Sequence, residues 1–104
     1  MSDRPFLLRR HAQKDLHAIR KYTINKWGMA QWLKYKKVIR KRMQALANNP
    51  NLGLIINEIA DNAFRFPDNQ HIFYYLKREK DVVFVGILSS NMAPEKHQER
   101  INRT

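Results

Sequence analysis

HIFYYLKREKDVVFVGIL, the stretch from residue 71 to residue 88, contains two apolar runs separated by a short polar segment. Residues 71–76 are rich in aromatic and β-branched side chains, a composition that favours a β-strand. Residues 82–88 are apolar at nearly every position, as expected for a strand with both faces covered. Residues 77–81 are polar and few enough to join the two strands as a hairpin. The stretch therefore predicts the centre of an antiparallel sheet.

Shorter runs before this hairpin predict the rest of the sheet. Residues 62–66 predict a strand that ends at the turn-forming residues 67–69, which gives a meander of three antiparallel strands. Residues 54–56 predict either a short strand or a loop packed on the core. Residues 6–10 predict a first strand at the amino terminus.

Two segments between residues 12 and 48 repeat apolar side chains every three or four residues, which predicts two amphipathic helices. The predicted inner face of the first is Ala12, Leu16, Ile19, Tyr22 or Thr23, and Trp27. That of the second is Trp32, Tyr35, Ile39, Met43 and Leu46. Gly28 alone separates the helices, which predicts an antiparallel hairpin, and Pro50 ends the second helix.

The predicted fold is therefore α+β, a single domain over residues 1–104. An N-terminal strand precedes a two-helix hairpin that packs on a small, mainly antiparallel sheet. A short charged helix over residues 94–100, too polar for the core, follows the sheet. The two-faced strand at residues 82–88 is expected to lie inside the sheet or to form a docking surface.

The charge is concentrated in one half of the chain. Twenty Lys and Arg against nine Asp and Glu give a net charge of +11. Residues 1–52 carry thirteen basic and two acidic residues, whereas residues 53–104 carry seven of each. Lys34, Lys37 and Lys41 share the outer face of the second helix. Such a surface predicts a polyanionic partner, either nucleic acid or an acidic protein, and a merely solvated helix face is the alternative.

Composition argues against several classes of function. The absence of cysteine excludes disulfides and thiolate chemistry and fits a reducing, cytoplasmic setting. Four scattered histidines without metal-ligand spacing predict no metal, and three isolated glycines predict no phosphate loop and no cofactor. The chain has neither an apolar run long enough for a membrane span nor a secretory signal at its amino terminus.

Metal-free RNA cleavage remains open from the residues alone. Arg65 could hold a phosphate, and His71 or Tyr74 could transfer protons. Strand alternation places His71 and Phe73 on one face and Tyr74 on the other, so His71 and Tyr74 do not cooperate. The competing interpretation is that His71 ends a strand and Tyr74 is a core aromatic.

Several short motifs, in this order along the chain, resemble the ParE toxins of the RelE/ParE superfamily. The resemblance runs from about Leu7 to Met92. It is carried chiefly by Asp15-Leu16, Tyr22-Thr23, Trp27-Gly28 with Gln31, Arg65, His71-Ile72-Phe73-Tyr74 and Ile87-Leu88-Ser89-Ser90-Asn91-Met92. The superfamily fold, a helical hairpin on a small antiparallel sheet, agrees with the fold predicted above.

The resemblance implies the toxin of a type II toxin–antitoxin system of the kind associated with plasmid stabilisation. Such toxins bind and inhibit DNA gyrase and are neutralised by an acidic ParD-like antitoxin in a hetero-oligomer. Operator DNA is then contacted only through the antitoxin, and the toxin itself performs no chemistry. The implied target contacts are Arg65, Ser89, Ser90, Asn91, Met92, Lys37 and Lys41. The implied antitoxin contacts are Trp27, Trp32, Tyr35, Ile39 and Phe84.

Two alternatives remain at this stage. The RelE branch cleaves mRNA on the ribosome, and its members place histidine or tyrosine near the last strand. Residues 88–93 hold no titrating side chain here, which argues against cleavage. Many ParE-like chains have histidine and aspartate where this chain has Ser89 and Ala93, a departure that concerns the gyrase-binding surface. The other alternative is a basic nucleic-acid-binding module without toxicity.

Overall fold

The computed structural model describes residues 3–68, 70–92 and 94–102. Ala93, one of the two positions at which this chain departs from many ParE-like chains, lies outside the described residues. The elements in chain order are β1 (Phe6–Leu8), α1 (Arg10–Trp27), α2 (Met29–Asn48), a 3-10 turn (Pro50–Leu52), β2 (Leu54–Ile55), β3 (Ala63–Pro67), β4 (His71–Lys77), β5 (Val82–Ser89) and α3 (Pro94–Asn102). Each predicted element is present, and the open choice at residues 54–56 is decided in favour of a short strand.

The strands form one sheet in the order β1-β5-β4-β3-β2. Strands β2 to β5 pair antiparallel, which confirms the predicted meander, and β1 pairs parallel to β5. The helical hairpin is the connection that carries the chain away from β1 before the meander begins. Strand β5 therefore lies between β1 and β4, one of the two positions expected for a two-faced apolar strand.

The helical hairpin covers one face of the sheet. Its contribution to the core comes mostly from α2, where Trp32, Ile39, Met43, Leu46 and Ala47 are buried. These residues pack in one cluster with side chains of β3, β4 and β5. Gly28, at φ +93°, joins the helices in a backbone conformation that L side chains rarely adopt.

Burial decides whether Tyr22 or Thr23 faces the core in the first helix. Thr23 is buried, whereas Tyr22 is exposed. The predicted inward position of Trp27 is wrong, since this side chain is 63% exposed. The apolar stripe therefore turns away from the core after Ile24, which still packs on it.

A second apolar cluster covers the opposite face of the sheet. Tyr74, Val83, Val85 and Leu88 alternate with the residues that face the helical hairpin. Ile56 and neighbouring residues from the segment between β2 and β3 pack against them. The opposite placement of Phe73 and Tyr74 confirms the predicted alternation in β4.

Helix α3 reaches this second face through polar side chains. Arg100 donates two hydrogen bonds to the carboxylate of Asp15 in α1, at 2.5 and 3.0 Å. Asp15 also accepts a hydrogen bond of 3.0 Å from the backbone N–H of Ile87, beyond the point where β1 ends. Gly86 leaves room for this pair, because a Cβ there would lie 3.3 Å from the Arg100 guanidinium. The polar character of α3 thus serves to attach it.

Candidate interaction site

The outward face of α2 is a cationic surface. Lys34, Lys37 and Lys41 are exposed on it, as predicted, and Lys36 and Arg40 flank them. Arg42 differs from these, because its Nε donates to Asp68 at 3.2 Å and its guanidinium lies over the Phe66 ring. The free positive charge is therefore carried by the lysines and Arg40.

Exposed apolar side chains gather where the two helices meet. We call Tyr22, Trp27, Met29 and Leu33 the hairpin-tip patch; all four are about half exposed or more. The ammonium group of Lys26 lies 5.5 Å from the Trp27 ring and 5.4 Å from the Tyr22 ring. Large apolar side chains clustered on a charged surface are typical of protein-binding sites.

The predicted antitoxin-binding residues fall into two layers. Trp27 is exposed, and Tyr35 is half-buried at the edge of α2. Trp32, Ile39 and Phe84 lie in the core beneath the helices, with Trp32 only 4% exposed. In this conformation a partner can touch the first two, and the other three support the surface from below.

The predicted target-binding residues lie in three places. Lys37 and Lys41 are on α2, and Arg65 is exposed on β3. Ser89 ends β5, and the turn that follows exposes Ser90, Asn91 and Met92. The backbone N–H of Ser90 donates to the Gln70 carbonyl at 2.9 Å, which holds this turn beside the start of β4. The structure therefore brings the turn and β4 together but leaves Arg65 further along the sheet.

A group containing Arg65 lies on the second face of the sheet. Arg65 is opposite Tyr74 in the β3–β4 register. The Tyr74 hydroxyl is 2.8 Å from Nδ1 of His97, and Nε2 of His97 is 2.9 Å from the Ser89 carbonyl. Burial raises the pKa of Tyr74, and the positive charge of Arg65 partly opposes this. Residues 88–93 themselves hold no titrating side chain, but α3 returns His97 to the end of β5.

The bonding of His97 indicates an anchoring role. Nε2 donates to the Ser89 carbonyl and Nδ1 shares a hydrogen bond with the Tyr74 hydroxyl, so both ring nitrogens are engaged. Tyr74 is only 4% exposed and keeps its proton, because burial raises its pKa. The spacing of His97 and Arg100, one turn apart on a polar helix, is the sequence signal that could have revealed their common role.

Neither a cluster of metal-ligating side chains nor a membrane-spanning helix is found among the described residues. No group of three or more His, Asp or Glu side chains among residues 3–68, 70–92 and 94–102 is arranged to hold a metal ion. Within these same residues, no helix combines the length and the apolar character that crossing a bilayer demands.

The fold and the surfaces together describe a small basic α+β protein with an exposed cationic helix face and an exposed apolar patch. The sequence model for the ParE toxin of the type II toxin–antitoxin system, parDE, matches residues 6–94. The chain therefore belongs to the ParE toxin family. It is 23% identical over 94 residues to Toxin ParE1 of Caulobacter vibrioides, covering 90% of this chain and 97% of that one.

A solved structure agrees with this family at the level of the fold. The structure titled "Chromosomal ParDE TA system from P. aeruginosa" contains a similar chain, with a TM-score of 0.68 at 17% identity. The similarity covers 83% of this chain and 95% of that one. It confirms the predicted α+β fold.

Proposed function

We propose that this toxin inhibits DNA gyrase by binding it and that a ParD-like antitoxin neutralises it. The observation that carries the proposal is the family match over residues 6–94. The structure supports a binding mechanism, because its exposed features are a cationic helix and an apolar patch. The titratable groups on the second face are engaged with each other. Action on gyrase further implies a cytoplasmic site of action.

The target contact that we propose comprises the turn after β5, Arg65, and the α2 lysines. Ser89, Ser90, Asn91 and Met92 form the turn, and Lys37 and Lys41 supply the charge on α2. An enzyme that holds DNA offers polyanionic surface beside its protein surface, which suits such cations. Histidine is absent at position 89, so binding here depends on the turn backbone and on the neighbouring cations.

The antitoxin contact that we propose is the hairpin-tip patch together with Tyr35. An acidic amphipathic segment would place apolar side chains against Trp27 and its carboxylates near the lysines of α2. Trp32, Ile39 and Phe84 would act indirectly, by holding this surface in shape. Any contact with operator DNA would then come through the antitoxin.

Gyrase inhibition is tested by DNA supercoiling with purified gyrase, run beside cleavage of mRNA on translating ribosomes. We expect inhibited supercoiling and intact mRNA. A variant with Lys37→Gln and Lys41→Gln should inhibit less, whereas Lys77→Gln with Lys80→Gln on the neutral half should inhibit normally. Cleaved mRNA with unaffected gyrase would contradict the proposal.

Antitoxin binding is tested by calorimetry with the antitoxin encoded beside this toxin. Trp27→Ala should weaken binding about tenfold or more, as expected for a central aromatic anchor. Leu7→Ala is the matched control, because Leu7 is also exposed but lies on β1, away from the patch. Equal affinity of the two variants would exclude the patch.

The second candidate function is RNA cleavage, and one specific observation favours it. The structure brings Arg65, Tyr74 and His97 to one face, and these are the residue types that metal-free cleavage needs. Tyr74→Phe and His97→Gln should abolish cleavage in the ribosome assay if this activity exists. Under the gyrase proposal the same variants leave mRNA intact and affect only the anchoring of α3.

A further inference from the structure

A cleft between α2 and the turn joining β3 to β4 shares Tyr35 with the proposed antitoxin contact but otherwise lies outside the surfaces proposed above. Its volume is about 130 Å³. Val38, Ile39 and Phe73 give it apolar walls, and Val38 is 55% exposed at its mouth. The hydrogen bond from the Asp68 N–H to the His71 carbonyl, 2.8 Å, closes the turn that forms its far side. The cleft thus combines apolar side chains with the polar groups of Tyr35, Asp68, Gln70 and His71.

The rim carries uncharged hydrogen-bonding groups. Tyr35 Oη and His71 Nδ1 are 2.6 Å apart, and the two rings lie 5.9 Å apart at a tilt of 38°. Burial lowers the pKa of His71, although Asp68 opposes this, so the ring is neutral at pH 7. When the Tyr35 hydroxyl donates to Nδ1, Nε2 keeps its hydrogen as a donor. Gln70 adds an amide, which both donates and accepts.

The cleft and the helix surface around it differ in charge. The Asp68 carboxylate is already paired with Arg42, His71 is neutral, and the described residues that line the cleft include no Lys or Arg to hold a phosphate inside it. Outside, Lys34 lies four residues before Val38 and Lys41 three residues after it, so both share its face of α2. The cleft therefore suits an uncharged planar heterocycle, and the lysines suit phosphates attached to it.

We propose that the cleft binds an unpaired nucleobase of a single-stranded nucleic acid whose phosphates lie along Lys34, Lys37 and Lys41. The Asp68 carboxylate can accept from an exocyclic amine, and Gln70 and His71 can bond to ring nitrogens or carbonyls. A duplex cannot bind in this way, since its bases are paired and stacked. Base binding in the cleft goes beyond gyrase inhibition and antitoxin binding, although it shares Tyr35 with the proposed antitoxin contact and Lys37 and Lys41 with the proposed gyrase contact.

The test is fluorescence anisotropy of the purified chain with a labelled single strand of DNA, the same sequence as RNA, and the DNA duplex. We expect one or both single strands to bind about tenfold more tightly than the duplex, with affinity that falls as salt rises. Val38→Glu should abolish this preference, because it puts a carboxylate at the mouth of the cleft. His71→Phe should reduce it by removing a donor at nearly constant size.

Gln31→Glu is the matched control, since it adds the same charge at an exposed position of α2 outside both the cleft and the hairpin-tip patch. It should keep the preference for single strands, and circular dichroism establishes that each variant is folded. Equal binding of single strand and duplex, equal effects of the two glutamate variants, or no binding would overturn the proposal. Nucleoside monophosphates should displace the labelled strand less effectively, per base, than the unlabelled strand does. Equally effective displacement would assign the cleft to free nucleotides and would also overturn the proposal.

Discussion

At the scale of single residues, Tyr75 joins the sheet to the end of the helical hairpin. Its hydroxyl donates to the Pro50 carbonyl at 2.7 Å, and its ring stacks on Phe64 at 5.6 Å. Gly53 has to lack a side chain, because a Cβ there would collide with the Tyr75 hydroxyl. Burial raises the pKa of Tyr75 to about 12. One side chain thus fixes where the chain turns from α2 into β2.

Removing this hydroxyl should destabilise the protein at neutral pH. Tyr75→Phe keeps the stacked ring but leaves the Pro50 carbonyl unpaired, which we expect to lower the free energy of unfolding by about 1–2 kcal/mol. Urea denaturation measures the change. Tyr22→Phe is the control, because the Tyr22 ring is exposed, and it should change stability by less than about 0.5 kcal/mol.

The same hydroxyl should make stability depend on alkaline pH. The pKa of Tyr75 is about 12 in the folded protein, against 10.0 for an ordinary tyrosine. Because the folded state holds the proton more tightly, this contribution is complete below about pH 10 and is lost between about pH 10 and 12. We expect it to amount to about 2–3 kcal/mol. The advantage of wild type over Tyr75→Phe, about 1–2 kcal/mol at neutral pH, should therefore disappear and reverse over this window, and a constant difference would contradict the assignment.

At the scale of elements, Gly28 decides how α1 turns into α2. Its φ of +93° combines with a ψ of 167°, a region that is almost confined to glycine. The Cβ of an alanine would meet no atom within 4 Å, so the strain would come from the backbone alone. Gly28→Ala should therefore lower the free energy of unfolding by about 1–3 kcal/mol without opening the core. Ala30→Ser, exposed two residues later, is the control and should be close to neutral in the same urea titration.

Among the described side chains, His97 and Arg100 attach helix α3 by hydrogen bonds, so we expect this attachment to fail separately from the core. The double variant His97→Ala with Arg100→Ala removes the hydrogen bonds to Tyr74, Ser89 and Asp15. We expect faster amide hydrogen exchange throughout α3, with exchange in β4 and β5 much less affected.

The matched control uses the exposed acidic residues of the same helix. Glu95→Ala with Glu99→Ala leaves both tethers intact and should preserve the slow exchange of α3. Unchanged exchange in the first double variant would show that other contacts hold the helix.

At the scale of the whole molecule, the uneven charge should control how strongly the protein binds any polyanion. Excess positive charge lies in residues 1–52, and the cations of α2 are exposed together. On a heparin column, the double variant Lys37→Gln with Lys41→Gln should elute at a clearly lower salt concentration than the wild type. The pair Lys77→Gln with Lys80→Gln removes the same charge from the neutral half and should lower it less. Equal shifts would show that net charge alone, and not its placement, governs binding.

The sequence by itself determines the two helices, the central strands and the antiparallel order of β3, β4 and β5, but neither the parallel pairing of β1 with β5 nor the strand at Leu54–Ile55. Alternation in β4, the helical spacing of α1 and α2, and Gly28 are all local patterns, and local patterns decide local structure. They also identify the cationic face of α2, since helical spacing alone places Lys34, Lys37 and Lys41 together. Which surface contacts the target and which surface contacts the antitoxin remain predictions.

Only the tertiary structure decides which distant residues become neighbours. His97 and Tyr74, Arg100 and Asp15, and Tyr35 and His71 each meet across long stretches of chain. The outward position of Trp27 has the same origin, because Ile24 in the same helical turn still packs on the core while Trp27 is left exposed. Periodicity specifies the face of an element, but burial depends on where other elements end, and that is a property of the assembled fold.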